Sequence, residues 1–454
     1  MAGYDTANTP HGVEMRGMVA DGSYSLSRRR LLAAAAAGGA ASLVQASGRA
    51  AAADALAVAL IGCGKQGLGV ARALAAVPGV TIAAVCDPDE ARLAKARDDL
   101  AAPQGVADLR RILDDPAIDA VVVATPDHWH APASILACAA GKHVYVEKPC
   151  SHNFHEAMLL LDAARRSGVV VQHGTQSRSN PLIAGAVAHL RAGIVGDLLV
   201  AKAWNVQRRE SIGHGHPASV PAGVDYDLWV GPAPFVPFQE NRFHYHWRWW
   251  HAFGCGDVGN DGTHELDYAR WGLGADGFPE RIAGLGGKYH FDDDQEFPDT
   301  AAIVYEYPAD GESTHRRQLI FEMRLWSGTY PHNCDSGVEF HGTDGMLFVS
   351  KRGKLEVLDD RNRRREIAPL AEPVVSGSHQ ADFVAAIREG RRPRADVEEA
   401  VRSVALVHLG NIAVRLGRAV RFDTATHHVE GDPEADALLR REYRPGHWAI
   451  PAAG

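Results

Sequence analysis

An apolar run that breaks into glycines limits what this chain can fold into more than any other stretch. Ala57 to Gly67 reads Ala-Val-Ala-Leu-Ile-Gly-Cys-Gly-Lys-Gln-Gly, at the spacing G-x-G-x-x-G. The pattern predicts a buried parallel strand over Val58 to Ile61. Gly62 then permits a tight turn, Gly64 lets backbone N–H groups approach a pyrophosphate, and Gly67 lets the next helix pack close. That helix, roughly Leu68 to Val77, directs its positive end at the phosphates, with Lys65 and Gln66 inside the turn. A glycine turn can also be purely structural. The second signal is Thr81 to Asp87, an apolar strand ending in an acid about 20 residues after the first glycines, where a carboxylate accepts both ribose hydroxyls of an adenosine half. Asp87 favours NAD over NADP, because a 2′-phosphate would meet a like charge. Lys65 is the residue able to blur that preference.

Strand and helix signals alternate onward to about Gly174. Pro88 to Leu100 is an amphipathic helix, Ile118 to Ala124 a buried strand, His130 to Ala140 a helix, Lys142 to Val146 a strand, Asn153 to Ser167 a helix and Val169 to His173 a strand. Such alternation means a doubly wound parallel sheet, and ligands bind beyond the carboxyl ends of its strands. Thr125, Pro126, Asp127, His128, His130, Glu147 and Lys148 all fall at that edge. From Leu198 the texture changes to strands joined without crossover helices, at 198–207, 280–289, 300–307, 316–325, 337–340 and 345–350. These predict a large, open, mostly antiparallel sheet. Between its first two strands lies an aromatic-rich excursion, Pro217 to Gly274, and two helices, about 378–389 and 396–417, close the chain.

Residues 1–53 read as a leader. Ser27-Arg-Arg-Arg30 precedes a weakly apolar run, Leu31 to Val44, and small residues then fill Ala46 to Ala53, which is the layout of a twin-arginine (Tat) signal peptide with A-x-A-type cleavage options. The run is too short and too poor in large apolar side chains for stable membrane insertion. Tat export carries folded proteins, so an enzyme loaded with nucleotide before leaving is consistent with the turn that follows. The expected location is periplasmic or otherwise exported. A net charge of −9 without a basic tract in the body argues against nucleic acid as partner. Six scattered cysteines without a C-x-x-C pair predict buried free thiols. His244, His246 and His251 lack an adjoining carboxylate or cysteine pattern and predict packing, so no metal site is expected.

With Gly62–Gly67, the acid at 87, Ala-Thr-Pro-Asp-His-Trp-His at 124–130, Glu147-Lys148-Pro149 and the run Gly256 to Asp267 in order, the chain resembles the Gfo/Idh/MocA (glucose–fructose oxidoreductase / inositol dehydrogenase) family. It looks closest to an exported branch, in which segments like Tyr226 to Pro234 and His246 to Trp250 are familiar. The resemblance implies an α/β fold in two parts: an N-terminal Rossmann doubly wound parallel sheet, residues 54–176, and a C-terminal α/β domain with a large open sheet, residues 177–454. It implies NAD, NADP less so, and a carbohydrate or cyclitol substrate. Through the open sheet it implies a homo-oligomer, dimer or tetramer. By the same resemblance Lys148 lies beside the nicotinamide and the substrate hydroxyl, and His264 is the proton carrier. Thr125, Pro126, His130, Glu147 and Arg178 are further cofactor-side candidates.

The residue types suit the chemistry. Oxidising a secondary alcohol needs a base for the O–H proton, and an imidazole titrates near neutrality; a nearby ammonium stabilises the developing alkoxide. One departure stands out. The family's dehydrogenases usually carry an acid four residues before the histidine, where this chain has Asn260 in Asn260-Asp-Gly-Thr-His264. Asp257 or Asp261 can substitute, and Asp267 shares a helix face with His264 by its i,i+3 spacing. Three readings follow: an exported NAD(P)-dependent oxidoreductase acting at a ring carbon, a glycosidase or lyase that oxidises transiently, eliminates and holds its NAD tightly, and a non-catalytic sugar-binding relic.

Overall fold

The computed structural model describes residues 55–309, 315–368, 370 and 373–451; the leader reading falls outside them. The described residues form a single unit built on two sheets. The first is parallel and six-stranded, in the order β3-β2-β1-β4-β5-β6, with β1 Leu56–Ile61, β2 Val80–Cys86, β3 Gln104–Val106, β4 Ala120–Val123, β5 His143–Val146 and β6 Val171–His173. Its order reverses between β1 and β4, which opens a crevice at their carboxyl ends.

Period-two alternation explains why this sheet is covered on both faces. Val58 and Leu60 of β1 join a core with Val70 and Leu74 of helix α1 (Lys65–Ala75), whereas Ala59 and Ile61 join a second core with Val121 and Val123. Helix α2, Glu90–Asp99, is capped by Asp89, whose carboxylate accepts from the N–H groups of Ala91 and Arg92. Helix α3 (Asp127–Ala139) follows β4, and α4 (Phe154–Ser167) follows β5 and is capped by Asn153. α1 begins at Lys65, directly after Gly64, three residues earlier than the sequence reading placed it, and α3 begins right after Pro126 instead of at His130.

The described residues place nine strands in the second sheet: β7 Leu198–Val206, β8 Arg281–Gly287, β9 Thr300–Tyr307, β10 Arg317–Arg324, β11 Ser336–Gly342, β12 Gly345–Ser350, β13 Lys354–Asp359, β14 Val420–Asp423 and β15 His428–Val429. Their order is β13-β12-β11-β7-β10-β9-β8-β14-β15, and only the pairing of β10 with β7 is parallel. One face is buried beneath two helices, α5 (Gly262–Leu273) and α6 (Val397–Leu416). The side chains of α6 are apolar almost all round because the helix serves both sheets: Val401 and Val404 pack on the parallel sheet, and Leu409, Ile412 and Ala413 on the antiparallel one. On β8, Arg281–Gly287, Leu285 remains 70% exposed, as does Tyr289 just beyond it at 72%. The excursion between β7 and β8 has its own aromatic cluster, with Trp229, Trp249, Trp250, Phe238 and Phe253. Among the described residues no helix is long and apolar enough to cross a membrane. All six cysteines are free and buried.

Candidate active site

A cavity of about 800 Å³ opens beyond the carboxyl ends of β1, β2, β4 and β5 and is closed from the other side by the excursion and by the start of α5. At one end it is built mostly from backbone. Gly62 has φ +96°, and a Cβ there would lie 2.5 Å from the Ala124 carbonyl oxygen. Gly67 is inside the first turn of α1, where a Cβ would fall 2.1 Å from the Gly62 oxygen. These two positions hold turn and helix against the sheet. Gly64 differs: a Cβ there would meet only Arg92, at 3.6 Å. It caps α1 without a side-chain hydrogen bond, so the first N–H groups of the helix have no side-chain capping partner. That uncapped end at a glycine with open space is the right shape and polarity for a pyrophosphate.

Asp87 ends β2 and is fixed by two N–H donors, Cys63 at 2.7 Å and Asp89 at 3.0 Å. Burial pushes its carboxyl above the usual range, and those N–H groups together with Arg92 work in the opposite direction. Thr125 and Pro126 follow β4. His130 lies between two carbonyls, with Nδ1 2.6 Å from Pro149 O and Nε2 2.8 Å from Thr125 O. A neutral imidazole donates to only one of them, and burial holds this ring's pKa down to about 4. Its role is to tie the β4 turn to the β5 turn. Glu147 is buried, accepts from Gln66 Nε2 at 3.0 Å, and is held above its ordinary pKa by that burial despite Lys148 beside it.

The other end is built from side chains far apart in sequence. Lys148 Nζ donates to the Asn260 carbonyl and lies 3.4 Å from Asn260 Oδ1. The Asn260 amide nitrogen donates to Asp257, 3.1 Å away, and to Asp261, 3.3 Å away. An amide therefore presents oxygen to the ammonium and N–H to two carboxylates; an acid at 260 would add a third negative charge to the same spot. Arg209 bridges those carboxylates, reaching Asp257 at 2.7 Å and contacting Asp261. Burial raises the Asp261 carboxyl, but Lys148, Arg209 and Lys351 outweigh it and hold the group below the ordinary range. His264, in the first turn of α5, borders the cavity, and its Nδ1 is buried without a hydrogen-bond partner. Burial, with Lys351 and Lys148 nearby, holds its pKa well below the ordinary value. The ring is neutral at physiological pH, the state that accepts a proton.

Models of two consecutive domains match most of the chain: the Gfo/Idh/MocA oxidoreductase family's NAD-binding Rossmann fold over residues 56–175, and its C-terminal alpha/beta domain over 203–313 and 332–450. The chain belongs to the Gfo/Idh/MocA oxidoreductase family. It is similar to scyllo-inositol 2-dehydrogenase (NAD(+)) of Bacillus subtilis (strain 168), 24% identical over 74% of this chain and 87% of that protein. It is also similar to a Shewanella sp. (strain ANA-3) glycosyl hydrolase family 109 protein, 33% identical over 33% of this chain and 35% of that one. In fold it matches levoglucosan dehydrogenase in complex with NADH and levoglucosan, with a TM-score of 0.61 and 21% identity over 81% of this chain and 99% of that one.

Family membership makes the fit to NAD the relevant question, and the glycine turn, the uncapped helix start and Asp87 fit it. Of the candidates named from sequence, Gly62, Gly64, Lys65, Gln66, Asp87, Thr125, Pro126, His130, Glu147, Lys148, Asn260, Asp261 and His264 all border the cavity. Gly67 lies just beneath it. Arg178 does not belong with them and is corrected here. Its guanidinium is 5% exposed and doubly bonded to Asp267 at 2.9–3.0 Å, with Glu399 at 2.8 Å. Asp267 is thereby also occupied, holding Arg178 and the Ser403 hydroxyl, 2.6 Å away, instead of serving His264. The pair fastens the 176–179 turn to α5 and, through Glu399 and Ser403, both to α6. Asp257, fully buried against Arg209 and the Trp249 indole N–H, is likewise structural.

Sequence reasoning missed Arg209, Tyr245, Arg248 and Arg352, which border the substrate end. No local pattern marks them. The roles of His128 and Trp129 were legible only as positions at a strand edge: Trp129 donates from its indole to the Trp229 carbonyl at 3.1 Å, and His128 Nε2 lies 3.0 Å from the same oxygen, which clamps the excursion onto the parallel sheet. Of the tryptophans in the excursion, Trp229 and Trp247 reach the cavity, whereas Trp249 and Trp250 do not border it and are buried in the aromatic cluster. Among the described residues no group of three or more His, Cys, Asp or Glu side chains is placed to hold a metal ion.

Proposed function

We propose that this protein is an NAD-dependent oxidoreductase that oxidises a ring hydroxyl of a carbohydrate or cyclitol. The observation that carries the reading is the juxtaposition of Lys148 and a neutral His264 on one cavity with the uncapped helix start. When bound, the nicotinamide supplies a two-electron acceptor for the carbon-bound hydrogen. The residues of this chain do the rest. His264 takes the hydroxyl proton, and Lys148, steadied by Asn260, stabilises negative charge on the substrate oxygen. Asp261, held ionised, accepts from the Asn260 amide and orients it. Trp247 and Tyr245 line the substrate end of the cavity as an aromatic wall.

The named activities of the Bacillus and levoglucosan relatives support a sugar or cyclitol alcohol as substrate. Cleavage through transient oxidation would use the same two groups, and the Shewanella relative supports that second reading over one third of the chain only. Incubating the protein with NAD and a panel of aldoses, glycosides and inositols separates them. Substrate-dependent reduction of nicotinamide is the expected result; bond cleavage without net reduction favours the second reading, and neither change overturns both. Export through the Tat pathway, to the periplasm or beyond, is proposed from Ser27 to Arg30 and the small-residue run that follows, and is checked by fractionating cells that carry the wild-type chain or a variant with Arg28 and Arg29 changed to lysine. A homo-oligomer through the open sheet is proposed from the exposed Leu285 and Tyr289, and light scattering reads its size.

A further inference from the structure

The cations at the substrate end are not equivalent. Arg209 is neutralised by Asp257 and Asp261, and Arg352 by Asp335, at 2.9 Å from Nε and 2.6 Å from Nη2. Arg248 has no such partner. Among the described residues no carboxylate comes within ion-pair distance of it; Asp127 and Asp257 act on it only from further away. Its guanidinium is stacked among rings, 3.9 Å from the centroid of Tyr245 and 4.6 Å from that of Trp247. One Nη donates to the Tyr245 carbonyl, and Nε is buried with no acceptor at all. The residue is firmly placed: a Cβ on Gly254 would meet the Arg248 Cα at 2.4 Å, so the two backbones are in direct contact.

A guanidinium in low dielectric with an unused N–H is costly unless something accepts from it. Two rings and a carbonyl offset part of that cost. The missing element is an anion, and the cavity is where it would come from. The charge count favours a single negative charge. Arg209 and Arg352 are paired and Lys148 serves the reacting oxygen, which leaves Arg248 as the cation free to take a carboxylate, whereas a phosphate dianion would bring a second charge close to Asp261 and Asp127. The fork of a guanidinium also suits the planar, two-oxygen carboxylate.

We infer that the substrate is an acidic sugar, a uronic or aldonic acid or its glycoside, whose carboxylate is received by Arg248 at the aromatic wall of the cavity. This rests on the carbohydrate reading above and narrows it. Arg248 acts as a specificity residue: it faces the substrate's acid group, while Lys148 and His264 serve the hydroxyl being oxidised.

The test is binding to the NADH-loaded full chain, read by calorimetry with matched pairs that differ only at one carbon, such as methyl glucoside and methyl glucuronide, galactose and galacturonate, with glucose 6-phosphate as the dianion. At least one uronate is expected to bind 10-fold or more tightly than its neutral partner and more tightly than the phosphate. Arg248→Met, which keeps the apolar stem, is expected to remove that preference and leave NADH affinity within about twofold; Arg248→Lys, which keeps the charge without the fork, retains part of it. Equal or better binding of the neutral sugars overturns the inference while leaving the oxidoreductase reading intact, as does a uronate preference that survives in Arg248→Met. Tightest binding of the phosphate overturns the choice of carboxylate. Failure to bind NADH overturns the reading beneath it and the inference together.

Discussion

At the nucleotide end of the cavity recognition rests on backbone: a left-handed glycine, a helix start without a cap, and one carboxylate fixed by two N–H groups within the adjoining turn. At the substrate end it rests on side chains carried in from positions 148, 209, 248, 260, 264 and 352 and held by ion pairs and an amide. The first kind of site depends on local geometry that few residues can adopt. The second depends on which charges are compensated and which are not, so substitutions there alter chemistry and specificity before they alter the fold.

The largest effect belongs to the substrate end. His264→Ala is expected to lower kcat by about 10²–10⁴-fold, the range for losing a general base, with NAD affinity unchanged; stopped-flow reduction and nucleotide titration read the two separately. Because this imidazole is held well below its ordinary pKa by burial and nearby lysines, wild-type kcat is expected to show no acid limb near pH 6.5, where a free histidine titrates.

Arg178→Met probes the buried cluster that fastens α5 to α6. It leaves Asp267 buried without its partner, a loss of about 3–5 kcal/mol in denaturant unfolding, while the Kd for NAD stays put. A weakened Kd in a chain that is otherwise folded would restore Arg178 to the cofactor. The same cluster gives a pH signature. Burial works against the Glu399 charge, but Arg270 and Arg178 prevail and bring its pKa to about 2. A depressed carboxyl contributes stability that is fully present above its unfolded pKa and lost as pH falls toward the folded one. Wild-type stability is therefore expected to drop between about pH 4.5 and 2, and the drop to be shallower in Arg178→Met.

At the nucleotide end, Gly62→Ala combines a positive φ with a collision against Ala124 and is expected to cost about 1–3 kcal/mol of stability and to abolish NAD binding, seen by calorimetry. Asp87→Asn is the mildest. It keeps the shape, but it loses the charge and turns an NH2 toward one of the two N–H groups that the carboxylate accepts from, so NAD should bind about 10-fold more weakly, near 1.4 kcal/mol, with discrimination against NADP reduced.

These two ends also differ in how much of them was readable beforehand. Gly62, Gly64, Gly67 and Asp87 stand within 26 residues of sequence and do what their spacing implies, because strand, turn and helix are local. The parallel sheet was legible for the same reason, apart from β3, which is only three residues long. The helix Pro181–Arg191 went unread although Asn180 caps it and Pro181 opens it, both ordinary start signals. In the second sheet β7 to β12 were legible from their alternation. The remaining strands, β13 (Lys354–Asp359), β14 (Val420–Asp423) and β15 (His428–Val429), were not, being short or half-polar. At the substrate end Lys148 and His264 were found through resemblance, and Arg209, Arg248 and Arg352 could not be, since which arginine is paired is decided by tertiary contacts. Asn260 looked like a lost acid; with Asp257 and Asp261 both within hydrogen-bond reach, the amide is what the charge balance allows.

The central claim is that the two ends work on one reaction, passing a ring hydrogen from the substrate to the nucleotide. A quenched single turnover, with protein in excess over a sugar deuterated at its ring carbons and NAD present, followed by the mass of the recovered nicotinamide nucleotide, tests this directly. The account predicts deuterium on the nucleotide in wild type and none in Lys148→Met. Turnover of the sugar with an unlabelled nucleotide would contradict it.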